Sequence, residues 1–220
     1  REGGLTPFAA EETRTLPLPA GVPENASALA INLTLADSVG PTFMTAWAAG
    51  QERPWASAVN ADSNGQFRAA SLIVPVTADG FSLYSLIGGH AVVDYLGYFT
   101  GESTDQGYQG LFVPQSPERV IDTREGAGPI PTDGSIDVDT MVPGSGVIAN
   151  ITLAESVGPN FLTVWPTGLE KPWVSAVNAT DASQYAIANL AVVGQVDSTI
   201  SLYTLVQAHA IVDVAGYFFE

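Results

Sequence analysis

With 220 residues, the chain is long enough for one large domain or for two of about 100 residues, each able to bury most of its apolar surface. Hydrophobic residues make up 46% and charged residues 14%, which excludes a disordered tail or a charge-solvated helical bundle. Acidic residues outnumber basic ones 23 to 7 for a net charge of −16, so the surface repels phosphate backbones and nucleic acid is excluded as a partner.

Cysteine is absent, which removes disulfides, a thiol nucleophile and cysteine metal sites, and no stretch approaches the roughly 18 apolar residues of a membrane span. The chain does not begin with Met and has no basic segment followed by an apolar one, so a processed or excised segment is expected.

In chain order, the first phrase is "REGG" at residues 1–4, the second half of "RVIDTREGAG", which stands complete at residues 119–128. The first predicted strand is residues 28–35, where Leu29, Ile31, Leu33 and Leu35 alternate with small or polar residues and share one face. Residues 31–61, "INLTLADSVGPTFMTAWAAGQERPWASAVNA", return without a gap at residues 149–179 as "ANITLAESVGPNFLTVWPTGLEKPWVSAVNA". "FSLYSLIGGHAVVDYLGYF" (81–99) returns as "ISLYTLVQAHAIVDVAGYF" (200–218), with one residue inserted in the turn before it. A repeat of this length is a whole domain rather than a solenoid unit of roughly 20–50 residues.

The short β-branched and aromatic runs are punctuated by Gly, Pro, Asp and Asn, and no helical period stands out. This predicts an all-β chain of two tandem antiparallel β-sandwich domains of jelly-roll or immunoglobulin-like type. Copy 1 spans residues 1–99, a polar linker residues 100–110, and copy 2 residues 111–220. Copy 2 carries a lead-in strand, residues 111–123, with Phe112, Val113, Val120 and Ile121 as its apolar residues; copy 1 has no counterpart.

The start "RVIDTR" (119–124), the middle "NITL…FLTVWPTG…P" and the end "HAIVDVAGYF" (209–218) resemble a tandem β-domain of secreted and cell-surface proteins of Actinobacteria and related bacteria. The resemblance covers copy 2 and all of copy 1 except its lead-in, and the repeated ending "AVVDYLGYF" and "AIVDVAGYF" is its most specific part. It implies an extracellular, non-enzymatic β-domain used in arrays, and carries over no catalytic residues. Tyr95 and Leu96, where copy 2 has Val214 and Ala215, depart from the pattern.

Asp94 and Asp213 fall inside apolar final strands, where a carboxylate needs a partner. Two ion pairs, Arg1 with Asp94 and Arg124 with Asp213, are expected to tie first strand to last; the alternative is a carboxylate that accepts backbone hydrogen bonds or faces water. His90 and His209, four residues earlier, are expected to be structural. Trp47 with Trp55, and Trp165 with Trp173, bracket Gly- and Pro-containing loops; paired indoles at a hairpin suit either cross-strand packing or stacking on a sugar ring. Asp62, Asn64, Asp137 and Asp139 lie in acidic turns that offer oxygen ligands for a structural calcium ion, although neither turn matches the EF-hand loop. No other cofactor is expected, and no catalytic pattern such as GxSxG, HExxH or a P-loop is present.

The leading expectation is an extracellular, cell-surface structural protein, a repeat segment or subunit of a surface layer, filament or stalk. Self-association with neighbouring copies would restore copy 1's missing strand, either from a lead-in preceding Arg1 in a longer array or by strand complementation, with residues 111–123 as the donor. The alternative expectation is a carbohydrate-binding or adhesive module that recognises cell-wall or surface glycans through the Trp hairpins.

Overall fold

The computed structural model describes residues 6–100, 110–182 and 184–220. The described residues are all-β: fifteen strands and a single 3-10 turn, Thr123–Glu125. No helix among them is long and apolar enough to cross a membrane. The chain divides into two compact units, Arg1–Thr104 and Asp105–Glu220, and this division falls inside the segment expected to be a linker. Residues 101–109 of that segment lie outside the described residues.

Unit 1 contains β1 (Glu12–Leu16), β2 (Ala26–Ala36), β3 (Thr42–Ala48), β4 (Val59–Ala61), β5 (Arg68–Pro75), β6 (Phe81–Ser85) and β7 (His90–Thr100). Unit 2 contains β8 (Phe112–Asp122), β9 (Gly134–Asp139), β10 (Gly146–Ala154), β11 (Asn160–Pro166), β12 (Val177–Ala179), β13 (Ala186–Gly194), β14 (Thr199–Thr204) and β15 (His209–Phe218). The expected alternation sets the inner faces: Leu29, Ile31, Leu33 and Leu35 of β2, and Val147, Ala149, Ile151 and Leu153 of β10, are fully buried.

Unit 2 is two antiparallel four-stranded sheets, β13-β10-β15-β8 and β12-β11-β14-β9. First strand pairs with last (β8 with β15), second with second-last (β9 with β14), and so inward to the β11–β12 pair. This nesting folds one long hairpin double, the strand order of a jelly roll. The apolar inner faces of both sheets meet in one core that includes Ile151, Leu162, Leu202 and Val212.

Among the described residues, unit 1 repeats this order with one strand fewer. Its sheets are β1-β6-β3-β4 and β5-β2-β7, so the counterpart of β8 is missing and, among the described residues, β7 pairs with β2 alone. Its core gathers Leu29, Ile31, Leu33, Met44, Val59 and Leu83. At the position of Val214, fully buried opposite Ala149 in unit 2, unit 1 has Tyr95 opposite Ile31, 40% exposed.

The last strands differ most at one glycine. A Cβ on Gly216 would stand 2.6 Å from the Val113 carbonyl oxygen and 2.5 Å from the Phe112 ring, because β8 lies against it there. Gly97, its counterpart in β7, faces open space: a Cβ there would meet nothing within 4 Å. Gly216→Ala is therefore expected to destabilise unit 2 by about 1–3 kcal/mol through overpacking at β8, and Gly97→Ala to leave unit 1 within about 0.5 kcal/mol. Hydrogen exchange of the β15 and β7 amides under mild denaturant checks both; equal loss of protection in the two units would refute the difference.

Candidate functional site

Two features stand out: the outer side of each last strand, paired with β8 in unit 2, and an aromatic cluster beside the loop that joins β3 to β4 in unit 1 and β11 to β12 in unit 2, which in unit 1 lines a cleft that includes Phe43, Arg53, Trp55 and Asn60.

The cleft begins with strand alternation. In β3, Phe43, Thr45 and Trp47 share the face opposite the core residue Met44. The following loop folds back over that outer face. Thr45 Oγ1 donates to the Ala56 carbonyl at 2.7 Å, Trp47 Nε1 to the Gln51 carbonyl at 2.9 Å, and the Ala58 amide to the Met44 carbonyl at 2.7 Å. Unit 2 repeats each bond. Thr163 Oγ1 donates to Val174 O at 2.7 Å, Trp165 Nε1 to Leu169 O at 3.1 Å, and the Ala176 amide to Leu162 O at 2.8 Å.

These bonds split each tryptophan pair. Trp47 and Trp165 are each 8% exposed beneath the loop, whereas Trp55 and Trp173 are 97% and 81% exposed. The expected pairing of indoles is corrected accordingly, because the loop crosses the sheet face and consumes the first indole's N–H. The exposed indole instead neighbours a cation on an aromatic base. Arg53 Cζ lies 3.7 Å from the Tyr84 ring centroid and 5.7 Å from that of Trp55. Lys171 Nζ lies 3.6 Å from Tyr203 and 4.9 Å from Trp173. Phe43 packs tilted on Tyr84 at 6.2 Å, and Phe161 on Tyr203 at 5.9 Å. Asn60 Nδ2 donates to Ser57 Oγ at 3.1 Å, as Asn178 does to Ser175.

Sequence reasoning passed over Arg53, Lys171, Tyr84 and Tyr203. The signal was present, since each stands at an equivalent position in the two copies, but the tyrosines come from the distant strands β6 and β14.

At the pairing edge, Arg119 rather than Arg124 meets Asp213. A bulge between Val212 and Asp213 moves the register from Ile121 to Arg119 and sets Arg119 directly opposite Asp213. Its Nε and Nη2 donate to the two carboxylate oxygens at 2.8 and 3.2 Å. Arg124 lies past the ladder, in the 3-10 turn, and turns back on Asp122. Asp122 caps that turn by accepting the Arg124 amide at 3.1 Å, and accepts its Nε at 2.9 Å and Nη2 at 2.6 Å. The expected Arg124–Asp213 pair is thus replaced by Arg119–Asp213 and Arg124–Asp122. Arg1, expected beside Asp94, lies outside the described residues; Asp94 itself is buried opposite Asn32.

Phe112, Val113, Val120 and Ile121 all belong to β8 and pair within their own unit, where Val120 and Ile121 pack on the core. His209 shares a 2.9 Å hydrogen bond with Thr123 Oγ1. Of the calcium candidates, Asp62 lies 3.9 Å from Arg68, in the same turn as Asn64; Asp137 accepts from Ser201 Oγ at 2.6 Å, and Asp139 from the Met141 amide at 2.8 Å. Among the described residues, no group of three or more His, Cys, Asp or Glu converges.

No protein-family profile matches the chain, and comparison with curated proteins and with solved structures gives no match. What the coordinates define is a class: two tandem all-β units built on one plan.

The Arg124 guanidinium, bonded to the Asp122 carboxylate, holds that carboxyl at about 2, with the Arg124 amide adding to the effect. A folded carboxyl below its unfolded value stabilises fully above about pH 4, and that contribution is lost as pH falls toward about 2. Unfolding followed from about pH 5 to pH 2 is expected to show this loss in the native chain and a shallower slope in Asp122→Asn; identical slopes would refute the assignment.

Proposed function

We propose that the protein is a non-enzymatic structural segment of an extracellular, cell-surface assembly of such repeats, in which the β7 edge of unit 1 takes a further strand, from chain preceding Arg1 in a longer array or from a neighbouring copy of the repeat. The observation that carries this reading is the inequality of the two sheets among the described residues: four strands ending in β8 in unit 2, three ending in β7 in unit 1. An exposed edge strand presents unpaired N–H and C=O groups that a further strand satisfies. Unit 2 supplies the template for that strand and its register. Gly97 supports it further, since unit 1 keeps a glycine where unit 2 needs one to admit β8. The surface location rests on the resemblance to tandem domains of Actinobacterial secreted proteins, and the array on the duplication itself.

A second reading, binding of cell-wall or surface glycans, is favoured by one observation: Trp55 and Trp173 are exposed at equivalent positions. Exposed indoles stack on the apolar face of a sugar ring, and the two readings are compatible in an adhesive array.

A synthetic peptide with the sequence of residues 110–124 tests the first reading. It is expected to bind the intact chain and to shift the amide resonances of β7. At a hundredfold excess over Kd it is expected to stabilise unit 1 by about 2.7 kcal/mol. Gly97→Val should abolish binding without unfolding unit 1, because its side chain would stand where the peptide backbone must lie. A peptide that leaves β7 unperturbed, or binds Gly97→Val equally well, would remove the strand-lending proposal.

A further inference from the structure

The basic residues are few, and their partners divide them. Of the seven, Arg14, Arg68, Arg119 and Arg124 each lie within 4.0 Å of a carboxylate. Arg1 is outside the described residues. The remaining two, Arg53 and Lys171, have no carboxylate within 4.0 Å among the described residues. They occupy the same position in the two copies, each on a tyrosine ring and beside an exposed indole. In a chain with 23 acidic residues and a net charge of −16, and with Glu52 and Glu170 immediately before them, the two cations at the same place in both copies each sit on a tyrosine ring rather than in an ion pair.

Resting on the glycan-binding reading, we infer that these clefts take an acidic saccharide, a sugar whose ring carries a carboxylate. The ring's C–H face would stack on Trp55 or Trp173 and its carboxylate would pair with Arg53 or Lys171. The chemistry of the walls matches each part of such a ligand. The indole supplies a flat apolar surface, and nearly all of it is exposed in Trp55. The charged head itself rests on the Tyr84 or Tyr203 ring, which positions it without an opposing carboxylate within 4.0 Å among the described residues. Seating the cation in advance reduces the side-chain freedom lost on binding. The Asn60–Ser57 and Asn178–Ser175 pairs join the end of each loop to β4 or β12 and offer donors and acceptors for hydroxyl groups.

The exchange of Arg for Lys between the copies indicates what is recognised. Lysine cannot reproduce the planar fork of arginine, so the property common to both clefts is one positive charge beside an indole. A ring with a single carboxylate satisfies it. A densely charged polymer is disfavoured, because the overall field of the protein repels polyanions beyond the first contact.

The test compares two trisaccharides that differ only at C6: the α-1,4-linked galacturonic acid trimer and the neutral galactose trimer. Both are titrated into the intact chain at low salt, followed by calorimetry and by tryptophan fluorescence. The acidic trimer is expected to bind at least about fivefold tighter, with the difference shrinking at high salt as charge is screened. In the double variant Arg53→Gln, Lys171→Gln the preference should vanish while weak binding of both trimers persists. Trp55→Ala, Trp173→Ala should bind neither. Equal affinity for the two trimers in the native chain would overturn the acidic assignment and leave the glycan reading standing. Binding of neither, with all variants folded, would overturn both.

Discussion

Closure of the first strand onto the last is the interaction on which the final strand of unit 2 depends. In the nested order of unit 2, β15 is an interior strand only because β8 lies along its outer edge; β10 covers the other side. This explains why the final motif reads as a nearly continuous apolar run rather than a half-polar edge strand. It also explains the two exceptions inside that run. Gly216 leaves room for β8 to approach, and Asp213 gives the incoming Arg119 an anchor at a bulge, where backbone pairing is interrupted. Remove β8 and all three features lose their purpose. Unit 1 nonetheless retains the motif, with Gly97 and Asp94 in place on a strand that has one neighbour among the described residues.

The second constraint is local. The loop after β3 or β11 crosses the outer face of its own sheet and is pinned by a threonine hydroxyl and an indole N–H. With the first tryptophan committed to holding the loop, the pinned loop carries the second one outward. The same threonine, tryptophan, cation and tyrosine recur in both units, so the loop and its cation are one device used twice.

Much of this architecture was legible in the sequence. Period-two alternation located β2 and β10 and identified their buried faces, and the repeat showed that β8 is the strand with no counterpart among the described residues of unit 1. Two things were hidden, for physical reasons. Spacing along one strand cannot reveal a bulge in a pair, and the bulge at Val212 decides that Arg119 and not Arg124 meets Asp213. A hairpin reading of the Trp loops assumed that both indoles project alike, whereas a loop folding over a sheet buries the one whose N–H it can bond. The partners Tyr84 and Tyr203 arrive from β6 and β14, which are far away in sequence and adjacent only once the sheet forms.

Charge then limits how such units could associate. At −16 per chain, copies repel one another at long range, and each Debye length of about 8–10 Å at physiological salt weakens that repulsion. Contacts that rely on surface ion pairs would have few cations to draw on, since most of the described ones already pair within their own unit. Strand addition needs none. Its stabilisation comes from backbone hydrogen bonds and apolar burial along an edge, which act within a few ångströms and are indifferent to net charge. On the proposed reading, an acidic chain whose β7 edge is unpaired among the described residues would resist indiscriminate aggregation while still accepting a strand of matching register. In the proposed assembly the acidity supplies the selectivity and the open edge supplies the affinity.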